Sequence, residues 1–329
     1  MKRLKVLQFA LLMLVFSNLF PADSPFQELD TIKIQFGENL FTKIGGVEAF
    51  PGGFIFLLSR GRQNNLIVIV DKSGKIKHVY DKAGNGPGEL RDAFNVTSAN
   101  GYIYACESES SYVHQYTSEL KFVKDFRIKR AGKLFVLKDN QFGVWGPNYT
   151  DDGAFQLALY DENFNFKRYE YHVKEIPNLF HFWGGIVNGP ENTYAVFYPN
   201  SYQIKLFDTD WKLKKSVVKQ VPPHIIPYKK YTRNPSHVDN STVEWSKSWS
   251  VLWSLFYSKG KYFVSYLYQS KVFVDVLDEE GRIILKNFQD PKGYHLSFID
   301  HDGELWKLRT ENIDEDFPEY CLVKVRFSN

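Results

Sequence analysis

NNLIVIVDKSGKIKHVY, residues 64–80, is an apolar run closed by a short polar turn and followed by a second run bearing lysines. The same succession returns in SSYVHQYTSELKFVKDF (110–126), AFQLALYDENFNFKRYEY (154–171), SYQIKLFDTDWKLKKSVV (201–218) and SKVFVDVLDEEGRIILKNF (270–288). Their turns fall at Asp71, Thr117, Asp161, Asp208 and Asp278. Three of the intervals are about 46 residues, a spacing that marks a repeat architecture. The fourth interval is longer by about 24 residues, which places an insertion at about 219–250. Upstream of each turn lies a further strand-like run: 53–59, 101–108, 142–146, 193–198 and 261–267. A sixth copy, GELWKLRTENIDEDFPEYCLVKVRF (303–327), has both of these strands, but the chain ends before an outer strand can follow.

The missing strand is expected in TIKIQF (31–36), the first alternating run of the chain. An open ring would leave its first and last sheets with unpaired edges, which template aggregation. Pairing 31–36 antiparallel with the strand near Cys321–Phe327 removes that seam. The expectation is therefore an all-β chain, a six-bladed β-propeller of four-stranded antiparallel blades, with the ring closed by the N-terminal strand. Continuous apolar strands such as LIVIV agree, because a blade is covered on both faces. A β-sandwich of tandem hairpins accounts for neither the period nor the truncated last unit. The 28 Phe, 20 Tyr and 7 Trp also favour pleated sheet.

The start, MKRLKVLQFALLMLVFSNLFPADS, joins a basic segment to an apolar core too short to span a bilayer. It reads as an export signal over 1–22, with a single propeller domain over 23–329. The expected location is periplasmic or extracellular. The protein is not integral to the membrane unless the signal stays uncleaved, and it is expected to be monomeric. Removing Lys2, Arg3 and Lys5 takes the formal charge from +3 to 0, which leaves no electrostatic footprint for nucleic acid. Cys106 and Cys321 sit in apolar strands and read as buried free thiols.

Lys82-Ala83-Gly84-Asn85-Gly86-Pro87-Gly88-Glu89-Leu90 lies between the outer strand of blade 1 and the inner strand of blade 2. Its glycines and proline allow a tight reversal, and Glu89 is placed to brace it through backbone N–H groups. It lacks the Gly-Lys-Ser/Thr ending of a phosphate loop. The run resembles the inter-blade segment of NHL-type repeats and of related six-bladed propellers of exported bacterial proteins. NVTSANGYIYACESESSYVHQYTSELKF (95–122) is similar to the body of such a repeat. Some NHL-type propellers are lyases or hydrolases with a metal held in the channel by histidines and carboxylates. The resemblance therefore implies that the channel is the place to look for chemistry.

The eight histidines show no ligand-like spacing, and only His181 and His295 fall near expected inner strands. Asp300–Glu304 and Asp151–Gly153 read as hairpin turns rather than cation loops. No metal site, cofactor or catalytic residue is assigned. The leading reading is a non-enzymatic ligand- or protein-binding scaffold whose partner is a small molecule, a glycan or a protein. The alternative is a propeller hydrolase or lyase, metal-dependent or not, using the same channel mouth. That mouth is expected where the inter-blade loops meet the loops between second and third strands, among them 59–65, 107–111, 146–153, 198–201, 268–271 and 309–319. Candidate ligand-binding residues there are Arg60, Arg62, Tyr149 and Arg309, with His181 and His295 nearer the axis. The insertion holds VPPHIIPYKKYTRNPSHVDNSTVEWSKSWSVLWSLF (221–256) and is expected to pack over the mouth. It contributes Tyr228, Tyr231, Arg233 and Trp245 to the candidates.

Overall fold

The computed structural model describes residues 24–36, 41, 43–61, 64–107, 110–130, 132–151, 153–173, 184–198, 201–217, 251–268, 271–289, 295–311 and 319–328. Residues 1–22, expected to be an export signal, and 219–250, expected to be an insertion, lie outside the described residues. Strand β1 (Phe26–Ile34) precedes blade 1, which is β2 (Lys43–Phe50), β3 (Gly53–Ser59), β4 (Asn65–Asp71) and β5 (Ile76–Tyr80). Blade 2 is β6 (Ala93–Ala99), β7 (Tyr102–Glu107), β8 (Tyr112–Thr117) and β9 (Phe122–Arg127). Blade 3 is β10 (Lys133–Val136), β11 (Phe142–Thr150), β12 (Gly153–Tyr160) and β13 (Phe166–Val173). Blade 4 is β14 (Gly185–Asn188), β15 (Tyr194–Tyr198), β16 (Ser201–Phe207) and β17 (Leu213–Ser216). Blade 5 is β18 (Val251–Ser258), β19 (Lys261–Tyr268), β20 (Lys271–Asp278) and β21 (Ile283–Phe288). The last blade is β22 (His295–Ile299), β23 (Leu305–Glu311) and β24 (Glu319–Phe327), with β1 as its outer strand. All six sheets are four-stranded and antiparallel throughout. Among the described residues no helix is long and apolar enough to cross a membrane.

The ring closes as the pattern required, with Thr31 opposite Val323, Ile32 opposite Leu322 and Ile34 opposite Tyr320. Its boundaries differ from 31–36. The strand begins at Phe26, opposite Phe327, and Gln35 has already left it to donate its N–H to the Gly74 carbonyl of blade 1. Residues 27–31 are exposed, so this stretch of an outer strand carries no apolar alternation to read. Two buried phenylalanines fasten the closure. Phe26 packs on Phe263 and Phe288 of blade 5, and Phe36 packs edge-on against Phe56 of blade 1. Six apolar clusters fill the six blade interfaces, from Ile55, Leu57 and Tyr116 between blades 1 and 2 to Val276, Leu296 and Val323 between blades 5 and 6.

The repeated outer turns share one construction. Asp71 Oδ1 accepts the N–H groups of Ser73 and Lys75, at 2.8 and 3.1 Å. The Asp161, Asp208 and Asp278 carboxylates and the Thr117 hydroxyl do the same two and four residues on. The fourth residue of each turn is left-handed: Gly74, Leu120, Phe164, Trp211 and Gly281. Glycine is required where a neighbouring strand crosses, since a Cβ on Gly74 would lie 1.9 Å from the Lys33 carbonyl oxygen. Elsewhere the same angle is held by Leu120, Phe164 and Trp211, whose side chains are buried. Their burial offsets the strain of a conformation that costs a non-glycine residue about 1 kcal/mol.

Candidate functional site

Antiparallel alternation puts the connections between second and third strands at the same end of the ring as the inter-blade connections. The segment 82–92 shows how this face is built. Glu89 Oε2 accepts the Gly86 N–H at 2.8 Å, as its place in the sequence suggested. Glu107, at the end of β7, accepts the N–H groups of Arg91 and Asp92 at 3.2 and 3.0 Å. Asp125 on β9 accepts from Gly88 at 3.4 Å, and the Tyr116 hydroxyl donates to the Gly88 carbonyl at 2.6 Å. The left-handed Gly88 faces the Phe122 ring so closely that a Cβ would fall 2.3 Å from it.

His114, on β8, is buried between these two carboxylates. Its Nδ1 lies 2.6 Å from Asp125 Oδ1 and its Nε2 lies 3.6 Å from Glu107 Oε1. Burial alone would hold its pKa down, but the two carboxylates outweigh that and push it up. The imidazolium thus joins the acids that hold the loop. Nothing in the linear order of residues marks this triad, because its members are brought together only by strand pairing.

The sequence-derived candidates divide in three. Arg60 pairs with Asp81, and its N–H donates to the Asn64 carbonyl at 2.9 Å. Arg309 is buried, with Nε 2.8 Å from Glu311 Oε1 and Nη1 3.3 Å from Glu28 Oε2, so it ties β23 to the closing strand. Tyr149 stands on β11 opposite Ala154, and His295 opens β22 opposite Leu308, with their side chains outside the described set. Arg62, His181, Tyr228, Tyr231, Arg233 and Trp245 lie outside the described residues. Cys106 and Cys321 are free and buried, and burial pushes the Cys106 thiol up to about 12.

The axis of the ring holds a second arrangement. Glu48 on β2 accepts the Thr97 hydroxyl at 2.9 Å and the Ser98 N–H at 3.1 Å, both on Oε1, from the innermost strand of blade 2. Asn95 repeats the device one blade on, donating to the Leu134 carbonyl at 2.8 Å and accepting the Leu134 N–H at 2.9 Å. This fixes β10 beside Lys133. The Lys133 ammonium lies 5.1 Å from the centre of the Phe135 ring. Burial raises the Glu48 carboxyl to about 7, against the pull of its hydrogen bonds and of Lys133. Burial also lowers Lys133, against the attraction of Glu48. Both residues nonetheless keep accessible surface. Both stand on the innermost strands of their blades, β2 and β10.

Residues 24–298 match the profile of a 6-bladed beta-propeller family. The chain belongs to that family. No curated protein matches this propeller's sequence. A Bacteroides fragilis protein assigned as exported superposes with a TM-score of 0.72 at 16% identity, covering 94% of this chain and 97% of its own. A glucose dehydrogenase gives 0.52 at 14% identity over 94% and 100% of the two chains. The virginiamycin B lyase of Staphylococcus aureus gives 0.50 at 11% identity over 91% and 99%. Identities this low show a shared fold alone.

Two chemical capacities are present in this propeller. The loop 82–92 is held by acids spent on its own backbone. Glu48, Lys133 and Thr97 supply a carboxyl, an amine and a hydroxyl on the innermost strands. Among the described residues no three His, Cys, Asp or Glu side chains converge as metal ligands.

Proposed function

We propose that this propeller is an exported, non-catalytic binding scaffold, one domain over 23–329 behind a signal at 1–22. It takes a small molecule, a glycan or a protein at the channel mouth. The observation that carries the reading is the bracing of segment 82–92 by Glu89, Glu107 and Asp125. A face whose loop is already ordered loses little conformational entropy when it binds, which is how a rigid scaffold gains affinity. The test is a thermal-shift screen of the full chain against glycans, peptides and small acids, followed by mass spectrometry of each recovered hit. Hits recovered unchanged support the scaffold. An altered hit overturns it in favour of the second reading.

That second reading is a hydrolase or lyase using the same channel. Its support is specific: the Glu48 carboxyl titrates at about 7 beside Lys133. Carboxyls poised near neutrality suit general acid–base chemistry, and perturbed pairs of this kind gather at functional sites.

A further inference from the structure

The end of the ring opposite the inter-blade connections carries the turns between first and second strands. Between blades 5 and 6 two of these turns are clasped together, because the Ser258 hydroxyl donates to the Gly303 carbonyl at 2.5 Å. Beside the clasp lies a recess of about 120 Å³, bounded by the starts of β19 and β23 and the end of β24. Its floor is buried and apolar, with Leu305 and the rings of Phe263 and Phe327. Both rings pack on Phe26 of the closing strand, which keeps them from collapsing into the space. Its rim carries Lys259, Lys261 and Arg326, and the acid beside them is Glu304.

The rim charges do not cancel. Glu304 Oε1 lies 2.5 Å from Lys259 Nζ and 3.9 Å from Arg326 Nη2, so one carboxylate serves two cations. Lys261 is half-buried and makes no ion pair among the described residues. The other acids of its hairpin are spent. Asp278, opposite Lys261 on β20, takes the N–H groups of Glu280 and Arg282 and the Arg282 guanidinium. Glu279 takes the Tyr257 hydroxyl, on the side of blade 5 that packs against blade 4. Three cations to one carboxylate above an apolar floor favour an anion with an apolar body. The volume limits that body. An apolar cavity of about 150 Å³ admits benzene. A recess of about 120 Å³ therefore takes one ring, with the charged group left at the rim.

We propose that the recess between blades 5 and 6 binds a small aromatic carboxylate, its ring over Leu305, Phe263 and Phe327 and its carboxylate at Lys261 and Arg326. The site lies on the face opposite the channel mouth and stands independently of the reading proposed for that mouth. No covalent step is involved.

The test is fluorine NMR titration of the full chain with 4-fluorobenzoate. 4-Fluorobenzyl alcohol keeps the ring without the charge, and trifluoroacetate keeps the charge without the ring. The benzoate should bind with a dissociation constant of about 1 mM or lower, and both controls should be weaker by about tenfold or more. Lys261→Gln should weaken the benzoate by about fivefold or more, and Lys261→Arg should keep most of the affinity, since the charge is retained. Lys77→Gln, on the outer strand of blade 1, should leave it unchanged. No binding of the benzoate, or equal binding of the alcohol, overturns the proposal whether or not the variants fold. Wild-type affinity in a folded Lys261→Gln protein overturns it too, as does an equal loss in Lys77→Gln, which would mean diffuse charge attraction. In each of these cases the reading of the channel mouth is untouched, because none of the substituted residues lies on that face.

Discussion

Replacing Glu48 with glutamine removes one titration from the axis while keeping an oxygen for Thr97 and Ser98. The Glu48 carboxyl has a folded-state pKa of about 7 against an ordinary value of 4.5. Between those values the folded chain holds a proton that the unfolded chain has released. Stability conferred by this group is therefore full below the unfolded value, and it declines as pH rises through the folded one. A shift of that size caps the effect at roughly 3 kcal/mol. Glu48 keeps some accessible surface, so solvent screening reduces the expected figure to about 1–2 kcal/mol. The assay is urea unfolding of wild type and Glu48→Gln from about pH 4.5 to about pH 8. Taking the difference cancels every group except Glu48 and its coupling to Lys133. The variant should gain on the wild type steadily up to neutrality and then hold level. A difference that stays constant across this range would refute the assignment of a raised pKa to Glu48.

Deleting residues 26–34 should bare the edge of β24 and convert the protein to aggregates on size exclusion, whereas a monomer with an unchanged Tm would sink the closure. His114→Ala should cost about 3–5 kcal/mol in chemical denaturation, because it strands Glu107 and Asp125 without their shared cation. The stability His114 supplies in the wild type should be full below pH 6.5, its ordinary pKa, and fade as pH rises through the higher folded value. Gly88→Ala should cost more than Gly101→Ala, the latter about 1 kcal/mol. Both positions are left-handed, but only the first would drive a Cβ into a ring, that of Phe122; equal costs would remove the packing argument.

Blade number and ring closure were legible because they follow from backbone demands that repeat. Every outer turn needs acceptors for two N–H groups, and Asp or Thr supplies them at a fixed interval. Glu89 was legible for the same reason, as a local acceptor within one loop. The start of β1 was not, since Gln27–Asp30 face solvent along an outer strand and leave no alternation. Leu120, Phe164 and Trp211 were hidden as turn residues because large apolar side chains do not ordinarily signal a left-handed backbone. The site was the least legible part. Glu48 and Lys133 come from blades 1 and 3, and neither shows a pattern in its own strand that points to the other. His114 was visible as a histidine, but its acids sit on the two strands that flank it.

Two charge groups of the propeller differ in what explains them. His114, Glu107 and Asp125 are accounted for by the fold alone, since each acid holds backbone N–H groups of the loop 82–92 and the imidazolium balances them. The Glu48 carboxylate is partly accounted for in the same way, through Ser98. Lys133 is not. Its ammonium makes no hydrogen bond and no close ion pair among the described residues, and burial disfavours its charge. Replacing Lys133 alone by an apolar side chain would leave Glu48 without the charge that attracts it, whereas replacing both together is often neutral or stabilising. The opposite charge available to Lys133 is that of Glu48, and their mutual attraction works against burial at both groups.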